Sequence, residues 1–234
     1  MLARIPESNG SRMHSENDPA NHSARSLLAG SIQALLDAAE TLPQQITQAG
    51  DLLVGSLLAE GRIITCGVHH AARSADYLAE LLLYGFDKPQ PSLPALSLQS
   101  ETRFLASNQA SVVNETEQSA SDKENDFGAR LVEAQADVFA RQIRAFGHAH
   151  DTLVIFSQSV SSEQIRRAIH TATDQGMQII LVSDEVWLEA TEGLCLVSLN
   201  TGKAHLFQEM LSLIVHGLYD RVERSLFGSG LEAG

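Results

Sequence analysis

Residues 62–67, RIITCG, followed by AARSADYLAELLLYGF at 71–86, decide the fold. The first segment is a short β-branched run that Gly67 closes, and the second has apolar residues at helical spacing. A strand, a tight turn and a helix in this order are typical of a parallel sheet, because the helix carries the chain back to start the next strand. We therefore predict a strand at 62–67 and a helix directly after the turn.

The same alternation of strand and helix recurs along the chain. Strands of a parallel sheet are buried on both faces, so they are expected as short, continuous apolar runs. The pattern predicts an α/β fold: a doubly wound, five-stranded parallel sheet of the flavodoxin-like kind, with helices on both faces. The further predicted strands are 93–98, 151–157, 178–183 and 194–199, and the further predicted helices are 129–146, 161–176 and about 205–227.

The region before the first strand predicts a helical hairpin or a bent pair of helices. Apolar residues recur at helical spacing in 26–39, Pro43 stands where a second helix could start, and Gly61 is the predicted C-cap of that helix. Residues 1–25 contain few large apolar groups and are predicted to form a disordered tail. The folded domain is then 26–228.

One polar stretch interrupts the predicted domain. Residues 100–128 are too long for an ordinary connection and are low in complexity at their centre. We predict a disordered insertion at about 109–125. A short helix at Phe104–Val113 is the alternative for part of this span.

Composition excludes several classes of protein. The chain has 234 residues, of which 44% are hydrophobic, and a formal net charge of −13. Direct binding to DNA or RNA is not expected, because binding to phosphates requires a concentrated basic face. No apolar stretch is long enough to span a membrane and no signal peptide is recognisable, so we expect a cytoplasmic protein. Cys66 and Cys195 lie in apolar runs, which indicates buried thiols rather than disulfides or a metal site.

Two turns are candidates for ligand binding, because doubly wound sheets bind ligands beyond the carboxyl ends of their strands. They are CGVHHAARS at 66–74 and FSQSVSSEQ at 156–164. In the second turn, serine hydroxyls and free backbone N–H groups at a helix start could form a phosphate cradle. Serines at this place also act as plain N-caps, so both interpretations stay open. The serines are Ser157, Ser159, Ser161 and Ser162.

Histidines supply the other candidate chemistry. His69 and His70 are adjacent and have no Cys or carboxylate at ligand spacing beside them, so no metal site is predicted. Gln208 and His216 are eight residues apart and share one face of the last helix. Histidine can act as an acid or base, but enolising chemistry would also need a second group such as a carboxylate. Taken alone, that face is better explained by packing or contact with solvent than by catalysis.

Six features carry a resemblance to a known family: 31–43, the C-G pair at 66–67 followed by a helix, 92–98, 138–157, 176–183 and the QEM run at 208–210. Together they resemble bacterial phosphoheptose isomerases, which are SIS-domain proteins, and look most like the DiaA branch of DnaA initiator-associating proteins. The resemblance covers roughly residues 26–227, apart from the polar insertion. It implies a SIS domain, in agreement with the fold predicted above.

The resemblance is weakest at the two candidate turns. The family's first loop reads C-G-N-G-G-S, whereas residues 66–71 read C-G-V-H-H-A. The family's second loop reads S-T-S-G-N-S, whereas residues 157–162 read S-Q-S-V-S-S. Val160 replaces a glycine, which disfavours a close approach of the backbone to a phosphate. Binding of a sugar phosphate is therefore expected to be weakened or lost.

The resemblance also implies that the catalytic pair is incomplete. The isomerases use a glutamate and a histidine to move a proton between adjacent carbons of sedoheptulose 7-phosphate, and these positions fall on Leu81 and His216. Glu80 lies one residue away, but that offset rotates a side chain by about 100° around the helix. Tyr77 stands where the isomerases carry a histidine, which argues against the zinc site that some of them hold. Gln208 is kept, and no cofactor is predicted.

The DiaA branch also lacks the glutamate, and its members are homotetramers that bind the replication initiator DnaA. The resemblance thus implies a non-catalytic homo-oligomer that binds DnaA and regulates the initiation of chromosome replication. Leu226 and Phe227 stand where that branch has a Leu-Phe pair on its DnaA-contacting surface, with packing of the helix end as the alternative. The alternative functions are a sugar-phosphate isomerase or sugar-phosphate-binding regulator, and a divergent paralogue that has kept neither task.

Overall fold

The computed structural model describes residues 19–86, 89–99, 132–187, 189, 191 and 193–228. The first 18 residues of the predicted tail, and the predicted insertion with its alternative short helix, lie outside the described residues. The prediction for the insertion therefore stays a prediction.

A five-stranded sheet forms the centre of the molecule, and all its neighbouring strands are parallel. The spatial order is β2-β1-β3-β4-β5, so the chain moves outward from β1 to β2 and then returns to β3 on the other side of β1. This order confirms the predicted doubly wound, flavodoxin-like sheet. The strands are β1 (Ile63–Gly67), β2 (Ala95–Ser97), β3 (Thr152–Ser157), β4 (Gln178–Ser183) and β5 (Leu194–Ser198).

Helices cover both faces of this sheet. The helices are α1 (Pro19–Ala38), α2 (Leu42–Leu58), α3 (Ala72–Tyr84), α4 (Val138–Phe146), α5 (Glu163–Asp174) and α6 (Ala204–Phe227). Helices α2, α3 and α6 pack on one face, and α4 and α5 pack on the other. Alternate residues of the central strands point to opposite faces, as the period of a strand requires. On β3, Val154 and Phe156 join the first core, whereas Leu153 and Ile155 join the second.

Two predicted boundaries were wrong. Helix α1 begins at Pro19, so the last seven residues assigned to the tail, 19–25, are helical. Proline is well accommodated in the first turn of a helix, where its missing N–H costs no hydrogen bond. The single helix predicted at 129–146 is interrupted at Asp137, which separates a helical turn at 132–136 from α4.

None of the helices within the described ranges is both long and apolar enough to cross a membrane.

Gly61 does not cap α2, and this prediction was also wrong. Helix α2 ends at Leu58 with Ala59 as its C-cap, and the left-handed residue after it is Glu60, with φ 61°. Gly61 instead permits a close contact, because a Cβ there would lie 2.0 Å from the carbonyl oxygen of His150. The end of α2 can therefore approach the turn that leads into β3.

We expect Gly61→Ala to destabilise the protein by about 1–3 kcal/mol, because the added methyl group has to displace backbone. Gly55→Ala is the matched control: it lies within α2, and its added Cβ meets nothing within 4 Å. That variant should gain about 0.5–1 kcal/mol from its better helix propensity. Urea unfolding followed by circular dichroism measures both, and equal midpoints for the two variants would contradict the close contact.

Candidate functional site

A cleft of ≈ 610 Å³ opens beyond the carboxyl ends of β1, β3 and β4, where the strand order reverses. This is the place at which doubly wound sheets bind ligands. The register brings the strand ends to the same edge, since Gly67 pairs with Phe156 and Ser157 pairs with Ser183. Residues that line the cleft include Val68, His69, His70, Ser157, Ser159, Ser161, Ser162, Glu185, His205 and Gln208.

The loop after β1 is a single tight turn. Residues His69–Ala71 form a 3₁₀ turn, in which His69 has φ 53°. A Cβ on Gly67 would lie 2.8 Å from the carbonyl oxygen of Ala71, so only glycine fits at the end of β1. Both histidines are exposed and line the cleft. Within the described ranges, no three His, Cys, Asp or Glu side chains are placed to hold a metal ion together.

The loop after β3 brings the four predicted serines together. Ser157 is buried and donates its hydroxyl to the carbonyl oxygen of Ser159 at 2.6 Å, so this hydroxyl stabilises the loop itself. The hydroxyls of Ser159 and Ser161 are 2.7 Å apart. Ser162 stands at the N-cap of α5, but its side chain makes no capping hydrogen bond. The plain N-cap interpretation therefore fails for Ser162, and its hydroxyl remains next to the cleft.

Glu185, in the loop after β4, contacts this loop and was missed by the sequence analysis. Its Oε2 atom accepts hydrogen bonds from the Ser159 hydroxyl and from the backbone N–H of Val160, both at 2.9 Å. The backbone N–H of Glu185 in turn donates to the Ser183 hydroxyl at 3.1 Å. A carboxylate of the protein thus accepts from a hydroxyl and an amide of the predicted phosphate cradle.

The first turns of α6 close the cleft from the other side. Gln208, a predicted site residue, and His205, which was missed, both line it. The carboxylate of Asp184 holds the loop before α6, because it accepts from the backbone N–H groups of Thr201 at 2.5 Å and Gly202 at 3.0 Å. The loop after β4 therefore positions α6 as well as Glu185.

His216 is separated from this cleft. It lies eight residues after Gln208, or about 12 Å along the helix axis, and it is not among the residues that line the cleft. Its Nε2 atom is 2.9 Å from the hydroxyl of Tyr77, and its ring lies 5.4 Å from the ring of Phe86. His216 is exposed and fixed by two aromatic side chains.

Leu81 lies one turn after Tyr77 on α3 and is only 3% exposed. Its side chain belongs to the apolar core between the sheet and α6. Tyr77 does not fit the zinc site of some isomerases, because a phenol hydrogen-bonded to His216 stands where those enzymes carry a histidine. We therefore assign no step to a metal.

The two cysteines are not candidate nucleophiles. Cys66 at the end of β1 is fully buried, and this burial raises the pKa of its thiol. Partial burial also raises the pKa of Cys195. Since the thiolate is the reactive form, neither thiol is activated at neutral pH. Cys66 is a buried core residue, as predicted, whereas Cys195 is only partly buried and packs against the core.

Leu226 and Phe227 lie at the last turn of α6, opposite to the cleft. Leu226 packs against the apolar core, whereas Phe227 is 40% exposed. Phe227 is about 28 Å from Gln208 along the helix axis. The packing interpretation thus describes Leu226, and Phe227 remains available at the surface.

No protein-family model matches the chain. Curated relatives do match: a phosphoheptose isomerase of Chromohalobacter salexigens is 30% identical over 203 residues, which cover 85% of this chain and 92% of the relative. A DnaA initiator-associating protein DiaA of Salmonella paratyphi B is 31% identical over 201 residues, which cover 84% of this chain and 92% of the relative.

Solved structures show the same fold. A phosphoheptose isomerase from Francisella tularensis superposes with a TM-score of 0.71 at 24% identity, over 88% of this chain and all of the other. One from Neisseria gonorrhoeae superposes with a TM-score of 0.68 at 24% identity, over 87% of this chain and 98% of the other. With relatives of at least 30% identity along nearly their whole length, this chain belongs to the SIS-domain phosphoheptose isomerase family, in which DiaA proteins are also found.

Proposed function

We propose that this chain is a non-catalytic, homo-oligomeric SIS-domain protein of the cytoplasm that binds the initiator DnaA and regulates the initiation of chromosome replication. One observation carries the non-catalytic part: the position of the family's catalytic glutamate holds Leu81, which is buried in the apolar core. Other observations support the partner and the assembly.

Isomerisation of a sugar phosphate requires a proton to leave one carbon and to reach its neighbour. A positioned acid or base group accelerates such a proton transfer by about 10²–10⁴-fold. His216 is the one member of the family's pair that this chain retains, and its Nε2 atom is already hydrogen-bonded to Tyr77. Glu80 is exposed next to the buried Leu81, so it lies on a different side of α3. Within the described ranges, no Asp or Glu side chain is paired with His216, whose hydrogen-bond partner is Tyr77.

Binding of DnaA is supported by the relatives and by the end of α6. Relatives that match over most of their length are named for association with the DnaA initiator. The aromatic side chain of Phe227 is partly exposed, and Phe227 stands at the position of the Leu-Phe pair of the DiaA branch. Aromatic residues are enriched among the few side chains that dominate binding energy at interfaces. The net charge of −13 favours contact with the initiator rather than with DNA.

The exposed face of α1 supports a homo-oligomer, which we propose to be a tetramer. Leu28, Ile32 and Leu36 follow one another at intervals of four residues and are 61%, 58% and 61% exposed. Residues at this spacing form one stripe along a helix. A contiguous apolar stripe in water is unfavourable and is typical of a surface that another protein covers.

A sugar-phosphate-binding regulator is the second candidate. It is favoured by the cleft itself, which has a suitable volume and is lined by four serines, histidines and Gln208. This candidate requires a ligand in the cleft but no proton transfer at His216.

Surface plasmon resonance of the purified protein against purified DnaA from the same organism tests the first proposal. We expect saturable binding that Phe227→Ala weakens at least about tenfold, as for an aromatic anchor in an interface. Phe146→Ala is the matched control, because Phe146 is similarly exposed, at 47%, but lies on α4 at the other face of the sheet. No binding by the folded protein, or equal loss in both variants, would refute the proposed contact.

An isomerase assay with sedoheptulose 7-phosphate tests the non-catalytic role, with a bacterial phosphoheptose isomerase as the positive control. We expect no turnover above background, and no change of that background in His216→Ala, because the pair needed for proton transfer is incomplete. His170→Ala, at another exposed histidine, controls for nonspecific effects. Turnover that disappears in His216→Ala but not in His170→Ala would show that the chain is an enzyme.

A further inference from the structure

Two donors of the serine loop, residues 157–162 after β3, converge on one exposed carboxylate of the protein. The Ser159 hydroxyl and the Val160 N–H both lie 2.9 Å from Oε2 of Glu185. Ser161 extends this network, because its hydroxyl is 2.7 Å from that of Ser159. Glu185 comes from the loop after β4, 26 residues beyond Ser159, so the contact is a tertiary one.

A phosphate monoester would need the same kind of donors. Phosphates bind at strand ends of α/β sheets by accepting hydrogen bonds from loop N–H groups, from hydroxyls and from helix N-termini. A carboxylate accepts from these donors in the same way and also carries negative charge. A phosphate at this loop would therefore have to displace the side chain of Glu185 or lie beside a like charge.

The cleft offers little positive charge to offset that repulsion. Its lining within the described part of the chain includes no lysine or arginine. The cationic candidates there are His69, His70 and His205, which also line the cleft. All three histidines are exposed to solvent, and exposed charges attract opposite charges only weakly.

We propose that Glu185 is a specificity-determining residue: its carboxylate occupies the anion position of the serine loop and excludes phosphorylated ligands from the cleft. Other parts of the cradle are present, because Ser157 braces the loop and the hydroxyl of Ser162, which makes no capping hydrogen bond, lies beside the cleft. Removing the carboxylate is therefore expected to restore a phosphate site. This inference concerns the cleft alone and does not depend on binding of DnaA.

Isothermal titration calorimetry with sedoheptulose 7-phosphate and with inorganic phosphate tests it. We expect no saturable heat from the wild-type protein at millimolar ligand, and binding at least about tenfold tighter by Glu185→Ala. Glu185→Gln removes the charge but keeps the size of the side chain. It should also bind these ligands more tightly than the wild-type protein does, but by a smaller factor than Glu185→Ala. The double variant Glu185→Ala, Ser159→Ala should lose the gain, because it removes a donor of the cradle.

Glu209→Ala is the matched control. It removes the same charge from α6 next to Gln208, at an exposed side chain that does not line the cleft, and it should behave as the wild type does. Equal affinity of the wild-type protein and Glu185→Ala would overturn the proposal, as would absence of binding by both folded Glu185 variants. Binding of Glu185→Ala to DnaA, measured separately, should remain unchanged, so failure of one proposal is distinguishable from failure of the other.

Discussion

The parallel pairing of β1 with β3 determines where everything else in this molecule lies. Because the chain leaves β1 toward β2 and returns to pair β3 on its other side, the loops after β1 and β3 diverge and leave a cleft between them. The register aligns Gly67 with Phe156, so both loops leave the sheet at the same edge. Parallel pairing leaves both faces of the strands apolar, and these faces hold the two layers of helices.

The sequence was sufficient for this framework because burial on both faces makes each strand a recognisable apolar run. The strand 178–183 was predicted to the residue, and the strand 194–199 differs by one residue. Signals at the ends of elements were less reliable, since they depend on neighbours that the local sequence does not contain. Gly61 looked like a helix cap, but the fold uses its missing side chain to bring in the carbonyl group of His150.

Part of the candidate site was predicted, because the predicted strands place the loops that follow them at one edge of the sheet. The serines at 157, 159, 161 and 162 line one cleft together with Gln208. This was expected, because doubly wound sheets bind ligands beyond the carboxyl ends of their strands. Glu185 also follows a predicted strand, so its place at this edge could have been inferred. Its hydrogen bonds to Ser159 and Val160 could not, because they depend on the path of a loop 25 or more residues away. The contact of His216 with Tyr77, 139 residues apart, lies beyond local reasoning for the same reason.

Helix α6 connects the cleft with the proposed partner surface. Its N-terminal turns contribute to the cleft, its centre carries His216, and its end presents Phe227, and different neighbours hold each part. Leu81 fills space in the core that α3 and α6 share, and burial of such a side chain contributes about 1.5–3 kcal/mol. A carboxylate at that depth would instead need a partner to offset its lost hydration. In the proposed non-catalytic protein, Leu81 therefore contributes to the packing of the helix that carries both proposed binding surfaces.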